Sequence, residues 1–510
     1  MKRFVLIGLA LLFMSAAMAQ VEDHRKESTN TSQSDAKKLF EDFKEQAKEE
    51  YASFRQKANE EYAQFMEEVW QTFNVMEAEE IPWEPKPVTP LEDVAPVTNS
   101  KIEYDMAEET GVLPSAELSK EGMIEKWGTA RASRPEPMEP IAPVFESDEA
   151  VQSLVLYGSS FPVRMEKMEK EKRIKLRNVS EKSVARMWKK LSCKYYDNIV
   201  AECLQQRKER NLCDWAYVKL TEKMANKYFE PGSNESVVLR MYLLTQSGYQ
   251  MRIARADDNL TLLIGSEEKI YRYKYFIMDG IQFYILDRTM QNKSMDVFNR
   301  AFPGEKSMSL AVTQPDFTLV RTARRNLTAK NYPELSVAVE TNRNLLDFYD
   351  DYPLTSQWDY YSKASLSKQV KEILYPAIRK AIDGKSELEA VNIILDFVQT
   401  GLQYATDQEQ FGYERPLYPD ESIYYPFCDC EDRAILFSCL IRELVGLDVV
   451  LLNYPSHLST AVRFNEDVEG DYLSIDDQKY VICEPTFTKG APVGRCASKL
   501  KSVKPKVVKI

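Results

Sequence analysis

Tyr425-Pro426-Phe427-Cys428-Asp429-Cys430-Glu431-Asp432-Arg433-Ala434, followed one helix and one turn later by His457-Leu458-Ser459-Thr460-Ala461-Val462, is the stretch on which the reading of this chain turns. Tyr425 to Cys430 is turn-forming and extended. From Glu431 to Leu444 the apolar residues Ala434, Leu436, Leu440, Ile441 and Leu444 fall at helical spacing, which predicts an amphipathic helix with Cys430 at its N-terminal end. Gly446 ends it. Leu447 to Leu452 then reads as a buried strand, His457 opens a second that runs to Phe464, and Lys479 to Glu484 forms a third that stops at Pro485-Thr486. One helix packed on an antiparallel sheet is an α+β arrangement.

A cysteine is a nucleophile only as thiolate, and an imidazole beside it can hold it in that form as an ion pair. His457 is the only histidine beyond the N-terminal tail. The helix N-terminus also favours a negative sulfur, whereas Asp429, Glu431 and Asp432 oppose it, so His457 and the backbone are expected to supply the activation. Glu484, at the end of the third strand, is placed to accept the other imidazole N–H and fix the tautomer. The backbone N–H of Cys430 is the expected oxyanion donor, with Gln408 or Gln410 as a side-chain addition.

These residues resemble the transglutaminase-like superfamily of papain-type cysteine enzymes. Cys430-Glu431-Asp432-Arg433-Ala434 is similar to that family's nucleophile segment, His457 with its strand to its base, and Cys483-Glu484-Pro485-Thr486 to its Asp-Pro-Thr segment, with Glu in place of the usual Asp. The resemblance covers roughly residues 385 to 496. It implies a Cys430–His457–Glu484 triad attacking a carboxamide or peptide carbonyl of a protein or peptide substrate through a thioester. Release by water is expected over transfer to an amine. A Cys-Asp-Cys plus His cluster also suggests zinc, but the paired Cys-x-x-Cys spacing is missing and one histidine is too few. No cofactor is implied, since the chain has no P-loop, dinucleotide fingerprint or His-Glu-x-x-His. The reading from a different class is a non-enzymatic binding or assembly protein.

The net charge of −12 argues against nucleic acid as a partner. Lys2-Arg3, the apolar run Phe4 to Phe13 and Ala17-Met18-Ala19 predict a signal peptide over 1–19 and an exported protein, periplasmic or extracellular. No later apolar run reaches the ~18 residues of a membrane span, so no stable insertion is expected. Eight cysteines in 510 residues are too sparse for a disulfide scaffold, with Cys203–Cys213 one candidate bridge.

Phe40, Phe43, Tyr51, Phe54, Tyr62, Phe65 and Phe73 recur with an 11-residue period, which predicts one long amphipathic or coiled-coil helix over 34–76. Its stripe either docks a second molecule through residues 36–73 or packs on the protein's own body. Residues 77–149 are expected to be a Pro-rich linker, since 10 of the 24 prolines fall between Pro82 and Pro143; a strap across the cleft is the alternative. Residues 150–300 read as a degenerate copy of the catalytic domain at 381–510, with 301–380 connecting them. In that register Gly232, Asn259 and Asp287 replace Cys430, His457 and Glu484. Between the copies, Leu310 to Val312, Thr318 to Val320 and Ser336 to Val339 are strand candidates, and Leu366 to Ile382 a helix.

Overall fold

Alternation along the strand after His457 divides a sheet into two faces. Leu458 and Val462 point to the side covered by the helix Cys430–Leu444, where Ala434, Leu436 and Leu440 meet Val449, Leu451, Val481 and Cys483. Ala461 points the other way, into a second core with Val450, Leu452, Tyr454, Ile475 and Ile482. The helix is buried on all sides from Cys430 to Ile441, as a helix between a sheet and further helices must be. Each fully buried Leu or Ile here contributes roughly 1.5–3 kcal/mol.

The protein, described by a computed structural model, is an α+β chain in which residues 54–81, 93–96, 98–107, 134–138, 141, 150–165, 174–266 and 268–510 are placed. It divides into two units, 1–59 and 60–510, and the second carries the sheets and the site. The expected signal peptide and residues 34–53 of the expected long helix lie outside the described residues.

Unit 60–510 holds two six-stranded sheets with one strand order. The C-terminal sheet runs Tyr472–Ile475, Gln478–Cys483, His457–Arg463, Asp448–Tyr454, Lys506–Lys509, Asp105–Met106. The central sheet runs Tyr275–Met278, Ile281–Ile285, Asn259–Gly265, Met251–Ala256, Ser294–Phe298, Gln71–Asn74. In chain order the last five strands of each sheet occupy equivalent places, and the register agrees. Ala256 pairs with Asn259 as Tyr454 does with His457, Leu263 with Ile285 as Ala461 with Ile482, and Tyr275 with Tyr284 as Tyr472 with Val481. Even the hairpin turns correspond. Asp279-Gly280 and Asp476-Asp477 all have positive φ, as a two-residue turn between twisted strands requires. The helix Asn234–Gln246 precedes the central sheet as Cys430–Leu444 precedes the other.

Three expectations are corrected. The helix of the 11-residue repeat stops at 66, and Gln71–Asn74 is a strand on Ser294–Phe298, so Phe73 belongs to a sheet. Trp70 packs on Phe298, and pairing with a remote strand outweighs the local period. Tyr62 packs on Trp188, Phe298 and Phe302 at 5.0–5.1 Å, so that part of the stripe serves the protein's own core, while Phe65 stays partly exposed. The described parts of 77–149 are extended but packed. Residues 93–96 and 98–107 lie along the C-terminal sheet, where Asp105–Met106 pairs parallel with Lys506–Lys509 and Ile102 enters the core, and Arg207 holds Pro135 and Glu136 against the central half. Gly248 is required there, since a Cβ would lie 2.1 Å from the Glu136 carbonyl oxygen. In 301–380, Leu310 to Val312 and Thr318 to Val320 are not strands, whereas Arg325–Thr328 pairs with Ser336–Val339 and a helix spans Lys368–Ile382.

Candidate active site

Cys430 is the first residue of its helix. Asp429 caps it with extended backbone, the Asp432 carboxylate accepts the Asp429 N–H at 3.2 Å, and Glu431 and Asp432 complement the helix dipole. The thiol meets Glu431 Oε2 at 3.1 Å. Buried carboxylates crowd this end, with Asp407, Asp429 and Asp432 within 4.8 Å of one another, an oxygen-rich set of the kind that holds a hard cation. Two of them also cap backbone, Asp432 taking the N–H of Leu417 at 2.8 Å and Asp407 that of Arg415 at 2.7 Å.

His457 follows Ser456, whose positive φ closes the turn from Tyr454, and opens its strand with the side chain 3% exposed. Its Nε2 lies 2.9 Å from Glu484 Oε2. The second Glu484 oxygen accepts the Thr486 backbone N–H at 3.1 Å and the Thr486 hydroxyl. Burial pushes the Glu484 carboxyl up, but the His457 charge and the hydrogen bonds from His457 and Thr486 outweigh it and hold it below the ordinary range. An ionised Glu484 accepts an N–H from Nε2. The other ring nitrogen, Nδ1, is buried and has no hydrogen-bond partner.

The structure therefore brings His457 and Glu484 together. The thiol lies 3.1 Å from the adjacent Glu431 carboxylate, and Nδ1 of His457 has no hydrogen-bond partner. Cys430 and Ala434 share a helix side at i,i+4, and Ala434 packs on Leu458, the neighbour of His457. Catalytic hydrogen bonds are often unmade without substrate.

Arg433 fixes this end of the helix. Fully buried, it donates to the carbonyls of Gln399 and Leu402 at 2.9 Å each, and the Gln399 amide in turn donates to the Glu484 carbonyl at 2.8 Å. One chain of bonds thus joins the helix of Cys430 to the strand end of Glu484. No family model, curated protein or solved structure matches this chain.

Of the proposed oxyanion donors, Gln410 spends its amide on the backbone of Phe427, donating at 3.3 Å and accepting at 3.2 Å, and Gln408 is exposed. Cys428 is buried with its thiol 3.8 Å from the Gln403 carbonyl oxygen, and burial pushes it up to about 11. Cys439 and Cys483 lie in the core on the helix side, and Cys203 and Cys213 are both free thiols, so the candidate bridge is not formed.

In the central half, Gly232 sits in an open turn with φ +75 and Asn259 is exposed at the start of its strand. Asp287 is exposed and accepts the Thr289 N–H and hydroxyl at 2.9 and 2.6 Å, the same i,i+2 bonds that Glu484 makes with Thr486. Sequence reasoning missed Glu431, Gln399, Thr486 and the anchoring role of Arg433. Only Thr486 carried a signal, its repetition as Thr289 two residues after the equivalent carboxylate.

Proposed function

We propose that residues 381–510 form a papain-type, transglutaminase-like cysteine amide hydrolase of peptidase or deamidase type, in an exported protein. The observation that carries this is the buried His457–Glu484 pair, whose Nδ1 has no hydrogen-bond partner. Rotation of the thiol from Glu431 to Nδ1 would begin the reaction. The Sγ proton passes to Nδ1 as sulfur attacks the carbonyl carbon, and the tetrahedral oxyanion forms beside the Cys430 backbone N–H. The imidazolium, stabilised by Glu484, gives its proton to the leaving amine. A water, deprotonated by the same nitrogen, then cleaves the thioester to the acid and restores the thiol. In this reading the central half is a copy whose nucleophile and base positions hold Gly232 and Asn259, and its role is structural.

A second reading, a scaffold that binds without chemistry, is favoured by the thiol's bond to Glu431 and by Cys430 being 1% exposed. Iodoacetamide labelling mapped by mass spectrometry separates the two. The enzyme reading expects Cys430 to alkylate faster than Cys428 at neutral pH, and His457→Ala to slow it at least tenfold. A Cys430 that stays unlabelled, or whose rate ignores His457, supports the scaffold.

A further inference from the structure

In a chain of net charge −12, Arg321 and Arg324 share a single carboxylate, and Arg325 adjoins Arg324 in sequence. Glu340 pairs with Arg321 and, at 3.4 Å, with Arg324. The hydrogen bonds of Arg325 go to backbone carbonyls instead, to Ile423 at 3.0 Å and Pro426 at 2.9 Å among others. Arg321 and Arg324 stand 63% and 73% exposed. Arg324, Arg325 and Glu340, two guanidinium groups to one carboxylate, line a cleft of about 590 Å³, a size suited to binding.

Ile423 to Pro426, whose carbonyls Arg325 holds, also line the cleft, and this segment runs on through Phe427 and Cys428 to Cys430. Gln403 also lines the cleft, pairs with Phe427 and accepts the Cys428 N–H at 3.1 Å. Tyr424 and Tyr425 add aromatic surface. The cleft is therefore open, electropositive and continuous in chain with the approach to the thiol.

We infer that this cleft is the substrate channel of the Cys430 site and takes an extended peptide bearing Asp or Glu side chains next to the amide to be cleaved. The inference rests on the proposed cysteine chemistry. Its charge part is measured without turnover, using the full chain carrying Cys430→Ala. Binding of fluorescein-labelled peptides of one length, Glu-rich, neutral or Lys-rich, is read by fluorescence anisotropy at low and at 0.5 M salt. The Glu-rich peptide should bind tightest and weaken with salt. Arg324→Glu should weaken it about tenfold, whereas Lys479→Glu, the same charge change on the strand Gln478–Cys483 of the C-terminal sheet, should leave it within about twofold. Equal loss in both variants, or no preference for the acidic peptide, overturns the assignment. In the protein with Cys430 intact, Arg324→Glu should raise KM for an acidic peptide and leave kcat in place. If wild type cleaves acidic peptides and Arg324→Glu leaves KM unchanged, the channel is wrong and the chemistry stands. If binding depends on Arg324 but turnover survives Cys430→Ala, the chemistry is wrong and the channel stands.

Discussion

Replacing Arg433 by Met should destabilise the C-terminal half by about 3 kcal/mol. The side chain is completely buried, with two good hydrogen bonds at 2.9 Å to the Gln399 and Leu402 carbonyls and two long ones at 3.4 Å to Val398 and Cys428. Methionine fills similar volume but leaves at least two buried carbonyls without a donor, at about 1–3 kcal/mol each. Part of that is offset, because the guanidinium no longer has to be desolvated. Arg433→Lys keeps the charge but cannot fork to several carbonyls at once, so it should recover less than half of the loss. Urea denaturation followed by intrinsic fluorescence measures the difference. A loss below about 1 kcal/mol for Met would refute the claim that this residue anchors the helix of Cys430 to the strand end of Glu484.

Glu484→Gln keeps shape but removes the charge facing His457 Nε2, and should cost a hundredfold or more in turnover, with Glu484→Asp retaining more; steady-state rates in which Gln equals wild type would make Glu484 a packing residue. Asp420 is buried, and burial raises its carboxyl to about 6 despite bonds from Ser367. Since the folded pKa lies above the unfolded one, its contribution is fully present below the ordinary aspartate value and is lost as pH rises through about 6. The stability of wild type relative to Asp420→Asn should therefore fall between pH 4 and pH 7, and denaturation curves showing no such trend would count against it.

Much of the C-terminal half was legible because its signals are local. The helix period after Cys430, Gly446 with φ +78 behind it, and the strict alternation that sends Cys483 into the core and Glu484 to His457 all lie within a few residues of one another. Equal spacing likewise exposed the repeated strand order. The strand Gln71–Asn74 was hidden because its partner lies at Ser294–Phe298, and no local period reports a remote edge. The packing of 93–96 and 98–107 was hidden for the same reason. Arg433 escaped notice because its acceptors are backbone carbonyls, which have no identity in a sequence. The partner of the Cys430 thiol depends on a side-chain rotation between Glu431 and the sheet end, and residue spacing does not encode a rotamer.

The most direct test of the account is to incubate the protein, and its Cys430→Ala and His457→Ala variants, with a peptide library and an amine donor, and to read products by mass. The account predicts cleavage or deamidation by wild type, little amine incorporation, and loss of all products in both variants. Products that persist in Cys430→Ala, or a wild type that yields none, would contradict it.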